Sequence, residues 1–450
     1  MKHNENLGLK RDLQTKQLTM IAMGCAIGTG LFLGSGLAIG LAGPSVLVSY
    51  TIGAFIVILL MGCLAEMTVA HPTSGSFGTI AEKYISPLSG FLVRYSYWVS
   101  NVLAIGVEVS AIAVYMKYWF PNIPGIIWII VFAAVLIYIN ATSVNTFANM
   151  EYWFSMIKVS AIILFILLGL FILVGGTAQE NFGPQNFIND GGFFPFGWWG
   201  MWVAVFVSLF SFLGTEMIAV TAGEAKEPDI AVPKALKATV FRLSTFYVLT
   251  IAIMLMIVPW QSAGVDESPF VKVMEFVHIP FASGILNFII LTAALSAMNS
   301  QLYASTRMMY SLAQANDAPA VFKKTSSKGV PLRALAISTL GIFFAAIVTG
   351  FIPGSSYAFM MGISMFGAIF TWFMVFVSHL FFRKKWNENG ERRLPVQMVG
   401  YPYTSLLGAA LLLSLLVTTW FTPFKNTLQF GIPWLLLLTI IFVVWRRKEK

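Results

Sequence analysis

Met23–Gly36 reads MGCAIGTGLFLGSG. Five of these fourteen residues are glycine, at 24, 28, 30, 34 and 36, and all lie inside the first long apolar run of the chain. A glycine in a helix interior costs roughly 1 kcal/mol relative to alanine, so this density needs a reason. One reason is close helix packing, because small residues four apart let two backbones approach, and Gly24/Gly28 and Gly30/Gly34 have that spacing. The other is a helix that is broken near the middle of the membrane.

The rest of the chain fixes the medium. It has 450 residues, 58% hydrophobic and 10% charged, with mean hydropathy +0.79. Soluble domains carry about 25% charged residues, so this chain cannot cover itself in polar surface. Apolar runs long enough to span a bilayer recur twelve times, at 18–41, 44–70, 88–118, 124–142, 150–176, 199–223, 236–259, 281–313, 334–352, 355–382, 403–421 and 428–445. They are too long and too evenly apolar for barrel strands. The fold class is an all-α polytopic membrane protein with 12 transmembrane helices.

The net charge of +9 reports topology. With the N-terminus in the cytoplasm, 24 of the 28 Lys and Arg fall on the cytoplasmic side. Lys117, Lys272 and Lys425 face outward, and Lys158 sits within a span. This positive-inside asymmetry orients the chain with both termini cytoplasmic, in a cell membrane. The basic balance then points to anionic inner-leaflet lipid and not to nucleic acid.

Cys25 and Cys63 both lie in spans and read as small buried residues. No cleavable signal peptide is expected, because the first apolar run is long and follows a 17-residue basic tail. There is no phosphate-binding loop for ATP, no His, Cys or carboxylate cluster at metal-ligand spacing, and no nucleophile triad. No cofactor, no metal and no enzymatic activity are expected.

The broken-helix reading predicts a second break, because in secondary transporters such interruptions recur at matching places in two halves of the chain. Span 1 centres on Gly28-Thr29 within CAIGTGLFLG (25–34), and span 6 centres on Gly214-Thr215 within FSFLGTEMIAV (210–220). Each leads a block of five spans. Five is odd, so the blocks lie in the membrane with opposite polarity, as an inverted repeat. The organisation expected is a tail 1–17, a first repeat 18–176, a second repeat 199–382, two further spans 403–445 and a tail 446–450.

Polarity then suggests a ligand. The second half of span 1 begins near Gly30, and its free N–H groups around Thr29 to Leu31 favour an anion. The first half of span 6 ends near Phe210 to Phe212 and offers carbonyls to a cation. A cavity between the two suits a zwitterion the size of an amino acid, with glycines 28 and 30 letting the backbone come close to it.

Deep ionisable residues are functional candidates by default. Lys158 lies seven residues after Glu151 in EYWFSMIKVSAIILF (151–165). It is either a lysine snorkelling to the cytoplasmic interface or a buried amine that gains and loses a proton during a cycle. Glu216, at the end of the span 6 break, either pairs with freed backbone N–H groups or serves in proton coupling or gating. It is also a possible partner of Lys158. Glu108, mid-span 3, is a structural acid or an accessory one.

At this point the chain resembles the amino acid–polyamine–organocation superfamily, and within it the amino acid transporter family of bacterial proton-coupled permeases. The resemblance runs through GCAIGTGLFLGSG (24–36), EMTVAHPTSGSFGTIAEKYISPLSGF (66–91), EYWFSMIKV (151–159), AGEAKEPDIAVPKA (222–235) and SAMNSQLYASTRMMYSLAQANDAPAVFKKTSSKGVP (296–331). It implies a five-plus-five inverted repeat plus two spans, with helices 1 and 6 interrupted, importing amino acids by alternating access. By this similarity, backbone at Ile27, Gly28, Thr29 and Gly30 holds the substrate carboxylate. Backbone near Phe210, Ser211, Phe212 and Leu213 holds the amino group, with Phe210 as a gating aromatic. Lys158 matches a lysine that stands in for a sodium ion, reaching span 1 carbonyls and the polar patch Ser296, Asn299 and Ser300. The coupling ion implied is the proton.

Selectivity is expected from spans 3, 6, 8 and 10, including Phe288, Thr292 and Ser364. A neutral amino acid is favoured, with exchange of one amino acid for another as the alternative to proton symport. The amphipathic SGSFGTIAEKYI (74–85) is expected to be either a short helix that moves in gating or a solvated loop. The partners expected are the amino acid, protons and lipid, with the chain a monomer or weak homo-oligomer.

Overall fold

A computed structural model describes residues 15–72, 76–142, 144–176, 182–222, 227–262, 267–278, 281–326, 329–352, 354–390 and 394–447. Most of the tail 1–17, part of the connection 177–198, part of AGEAKEPDIAVPKA and the last three residues fall outside this set. Among the described residues the chain is all helix and turn, with no strand.

The first segment is α1 (Thr15–Ala26), α2 (Thr29–Phe32) and α3 (Gly34–Ala42). A tight turn at Gly43–Ser45 leads into α4 (Val46–Ala70), followed by α5 (Ser76–Tyr84) and α6 (Pro87–Lys117). Next come α7 (Gly125–Thr142) and α8 (Val144–Phe171). They are followed by α9 (Gly197–Ser211) and α10 (Met217–Val220), then α11 (Pro228–Ile257), α12 (Pro269–Phe276) and α13 (Ala282–Gln314). Then come α14 (Leu332–Ser338), α15 (Leu340–Phe351) and α16 (Ser356–Glu388), and last α17 (Tyr403–Thr418) and α18 (Asn426–Arg447).

Ten helical stretches among the described residues are long and apolar enough to cross a membrane. The two expected spans that fail this test are the first and the sixth. The sixth is only a 15-residue apolar helix, Gly197–Ser211, and the first is split between α1 and a stretch that runs on from Gly34 to Ala70. Both fall short because both are broken. Span 9 also departs from expectation: it is two helices, α14 and α15, divided at Thr339, whose hydroxyl donates to the Ala336 carbonyl at 2.7 Å.

These helices carry apolar residues on all sides, so packing and not amphipathicity decides which face is inside. α6 is the hub. It packs on α13, α16 and α15, and 89% of its most apolar window is buried, against 17% for α7 and α18. Pro87 starts α6, and the Ser86 hydroxyl caps it by accepting from the Ser89 N–H at 3.2 Å. The segment 76–84 is a short helix, and α5 is pinned against α6 by Phe77 stacked edgewise on Tyr97 at 4.8 Å between ring centroids.

Candidate functional site

α1 stops at Ala26. The Gly28 N–H turns back to the Ala26 carbonyl at 3.1 Å, and Gly28 itself is extended at φ −133°. α9 stops at Ser211, and a run of turns from Phe212 to Glu216 separates it from α10. Gly214 at the centre has φ +102°, a conformation that side chains with a Cβ rarely adopt. The two breaks lie against each other. A Cβ on Gly30 would stand 2.7 Å from the Ser211 Cα, and one on Gly214 would stand 2.8 Å from the Cys25 carbonyl carbon. The glycine at 30 therefore allows close contact with the other broken helix.

Helix C-termini expose carbonyls and carry partial negative charge. Here two such ends, α1 and α9, meet. The Tyr247 hydroxyl of α11 lies 3.1 Å from the Ala26 carbonyl oxygen and 2.8 Å from that of Ser211, so one proton serves both acceptors. On the far side of α1 the Lys158 ammonium donates to the Gly24 carbonyl, and also to the Ser296 hydroxyl at 2.8 Å. Ser296 in turn donates to Glu151 Oε1 at 2.5 Å, and Lys158 Nζ is 3.9 Å from that same oxygen. Both charged side chains are fully buried. Lys158 does not snorkel.

Glu151 is the partner that sequence reasoning missed; its spacing of seven from Lys158, two helical turns on one face, was the available signal. Glu216 does not pair with Lys158. Its Oε2 accepts from the Gly214 N–H at 3.1 Å and its Oε1 from the Tyr97 hydroxyl at 3.3 Å, so it ties down its own break. Glu108 is buried beside the first break, 3.1 Å from where a Gly28 Cβ would sit, and one of its oxygens has no partner among the described residues.

The other expected residues scatter. Ile27, Thr29, Phe210, Ser211, Phe212 and Leu213 are all buried at the breaks. The Thr29 carbonyl accepts from Tyr357 at 3.0 Å, and the Ser211 hydroxyl pairs with Tyr50 at 3.0 Å. Asn299 accepts from Asn140 Nδ2 at 2.7 Å, behind the Lys158 site. Phe288 is 58% exposed on α13, while Leu286, Asn287 and Ile290 beside it are buried. The Thr292 hydroxyl is taken by the Ile289 carbonyl at 2.7 Å. Ser364 is buried, and its carbonyl accepts from the Ser100 hydroxyl at 2.9 Å.

Beside the breaks is a cavity of about 10 Å³, walled by Cys25, Leu213 and Gly214 from the broken segments, Asn101 from α6, and Ser300 and Gln301 from α13. Asn101 and Gln301 were not anticipated; they sit on otherwise apolar helix faces, and only the assembled bundle points them at one space. Nearer the N-terminal end of α6, buried Arg94 donates to Glu82 of α5 at 2.6 Å and to Asp317, just beyond α13, at 3.1 Å. Among the described residues no group of three His, Cys, Asp or Glu is placed to hold a metal ion.

Comparison with known proteins follows the same lines. Residues 17–449 match the family described as amino acid permease. The gamma-aminobutyric acid permease of Bacillus subtilis (strain 168) is 40% identical over 412 residues, 91% of this chain and 88% of that one. A putative histidine permease of the same organism is 38% identical over 460 residues, 100% of this chain and 96% of that one. The aromatic amino acid transport protein AroP of Salmonella typhimurium (strain SL1344) is 34% identical over 450 residues, 100% of this chain and 98% of that one.

Proposed function

The chain belongs to the amino acid permease family, and from that premise we propose that it imports a neutral amino acid by proton-coupled symport. It is a multi-pass membrane transporter of amino acids and not an enzyme. The finer reading is ours: twelve spans with an inverted five-plus-five repeat, cytoplasmic termini, a cell-membrane location, and import driven by the proton gradient and not by ATP.

The observation that carries proton coupling is Lys158 seated on the Gly24 carbonyl, in the last turn of α1. As an ammonium it ties the end of α1 to α8 and, through Ser296, to α13. Its attraction to Glu151 offsets the several kcal/mol that burying each ion costs. Deprotonated, the amine keeps N–H groups but loses the charge, and charge-assisted hydrogen bonds are about twice as strong as neutral ones. The hold on α1 then weakens, and α1 is free to swing. A proton on Lys158 thus favours one arrangement of the broken helix over another, which is what alternating access requires.

In this reading the substrate carboxylate meets backbone N–H groups at Thr29 to Leu31. Its ammonium meets the carbonyl end of α9, where Tyr247 now donates. The relatives' names cover an ω-amino acid, histidine and aromatic amino acids, so side-chain preference must come from this chain's own residues.

Uptake into empty proteoliposomes, with and without an imposed pH gradient, tests the proposal. Accumulation that follows the gradient supports symport. Silence in both conditions, with uptake appearing only when vesicles are preloaded with amino acid, establishes obligatory exchange and overturns it.

A further inference from the structure

We infer that the cavity bounded by Ser300 and Gln301 receives a hydroxyl group on the side chain of the transported amino acid, which makes the substrate a small hydroxyl amino acid of the serine or threonine kind. This rests on the reading of the breaks as the substrate site.

Position comes first. The cavity touches both broken segments, Cys25 just before the first break and Leu213-Gly214 within the second. A zwitterion held by backbone at the two breaks would put its first side-chain atoms there. Chemistry comes second. The Gln301 side-chain oxygen is buried with no hydrogen-bond partner among the described residues; beside it Ser300 is 1% exposed, with its hydroxyl near Cys25 and Glu151. Gln301 lies beside Glu108 on its other side. Leaving a buried polar group unpaired costs about 1–3 kcal/mol, and native structures rarely tolerate it without a ligand or water in place.

Size and charge complete the case. A space of about 10 Å³ is room for one water-sized group, since a water needs roughly 10–15 Å³ of such volume. That admits a hydroxyl and excludes an aromatic ring, an imidazole or a guanidinium. No charged side chain lines the cavity, so it offers nothing to a cationic or anionic side chain. A hydroxyl can donate to the Gln301 oxygen while its own oxygen lies toward the Ser300 hydroxyl. A methyl group in the same place would leave the Gln301 oxygen unmet. Sites built to hydrogen-bond a substrate hydroxyl discriminate strongly against the analogue that lacks it.

The test uses the purified full chain in proteoliposomes. Uptake of a labelled mixture of the common amino acids is measured first, then competition by unlabelled L-threonine and by L-valine, which replaces the hydroxyl with a methyl at nearly constant shape. Threonine should compete about tenfold or more better than valine, the yield of one to two hydrogen bonds. Ser300→Ala and Gln301→Leu should each cut that ratio by at least about threefold, by weakening threonine and leaving valine unchanged. The ratio is read per active transporter, so a variant that folds poorly does not distort it, and the wild-type ratio decides even if a variant fails to insert. Equal competition by valine and threonine in the wild-type protein overturns the inference. So does an equal loss for both in the variants, which would assign the cavity to a structural water. No uptake of any amino acid by the wild-type chain would instead sink the transport reading itself.

Discussion

Gly30 and Ser211, 181 positions apart in the sequence, touch backbone to backbone. A Cβ on the glycine would fall 2.7 Å from the serine Cα and 2.9 Å from its nitrogen. No flexible side chain is present to move aside. The second broken helix can lie in the crook of the first only because residue 30 has no side chain.

Gly30→Ala should therefore push the two breaks apart. Overpacking of this kind costs about 1–3 kcal/mol. We expect uptake to fall by about tenfold or more, with a lowered melting temperature in detergent. Gly40→Ala is the contrast, because nothing lies within 4 Å of a Cβ built there. Equal behaviour of the two variants in an uptake assay would show that the contact does not matter.

Lys158→Ala should abolish accumulation driven by a pH gradient. Glu151→Gln should be the more damaging to stability, because it leaves the buried ammonium without its carboxylate, a loss of about 3–5 kcal/mol. The double variant Lys158→Met/Glu151→Gln should recover much of that stability without recovering gradient-driven uptake. Thermal melts and vesicle uptake on the same preparations check this, and full accumulation by Lys158→Ala refutes the coupling role.

Tyr247→Phe removes the one hydroxyl proton that lies between the Ala26 and Ser211 carbonyls. The hydrogen bond is worth about 1 kcal/mol net, so the fold should survive. Two negative helix ends would then face each other without the donor that bridges them, and their spacing should relax. We expect a modestly lowered melting temperature and a clearly slower maximal uptake rate. A rate equal to wild type would mean that the bridge is incidental.

Arg94→Ala should loosen the packing of α5 on α6. The guanidinium is buried between Glu82 and Asp317, with Glu82 itself 37% exposed and so partly screened. Hydrogen bonds to charged groups contribute about 1.5–3 kcal/mol. The expected result is faster labelling of a cysteine placed at the buried position Phe77, read with a membrane-impermeant thiol reagent applied from the cytoplasmic face. Unchanged labelling would show that α5 is held by its apolar contacts alone.

Much of this was legible in the residues because the bilayer reduces the choices to a few. Apolar runs of fixed minimum length and the paired Gly-Thr sites carried the helical architecture and the places of both breaks. The short helix at 76–84 was within reach of its own local pattern. Phe288, Thr292 and Ser364 lie on helices that are apolar on every side, where no periodicity tells which face turns inward; the fold turns Phe288 outward and buries Thr292 and Ser364.

Pairing across the bundle was beyond the sequence: Glu216 meets Tyr97 of α6, and Lys158 reaches Gly24 of α1 and Ser296 of α13. The Glu151–Lys158 pair, seven positions apart on α8, was within reach of spacing alone. Sequence determined what local physics dictates: which segments form long apolar helices and where two of those helices weaken. The tertiary structure alone decided which groups meet, because hydrogen bonds and ion pairs depend on distances of about 3 Å between residues that the chain separates by many tens of positions.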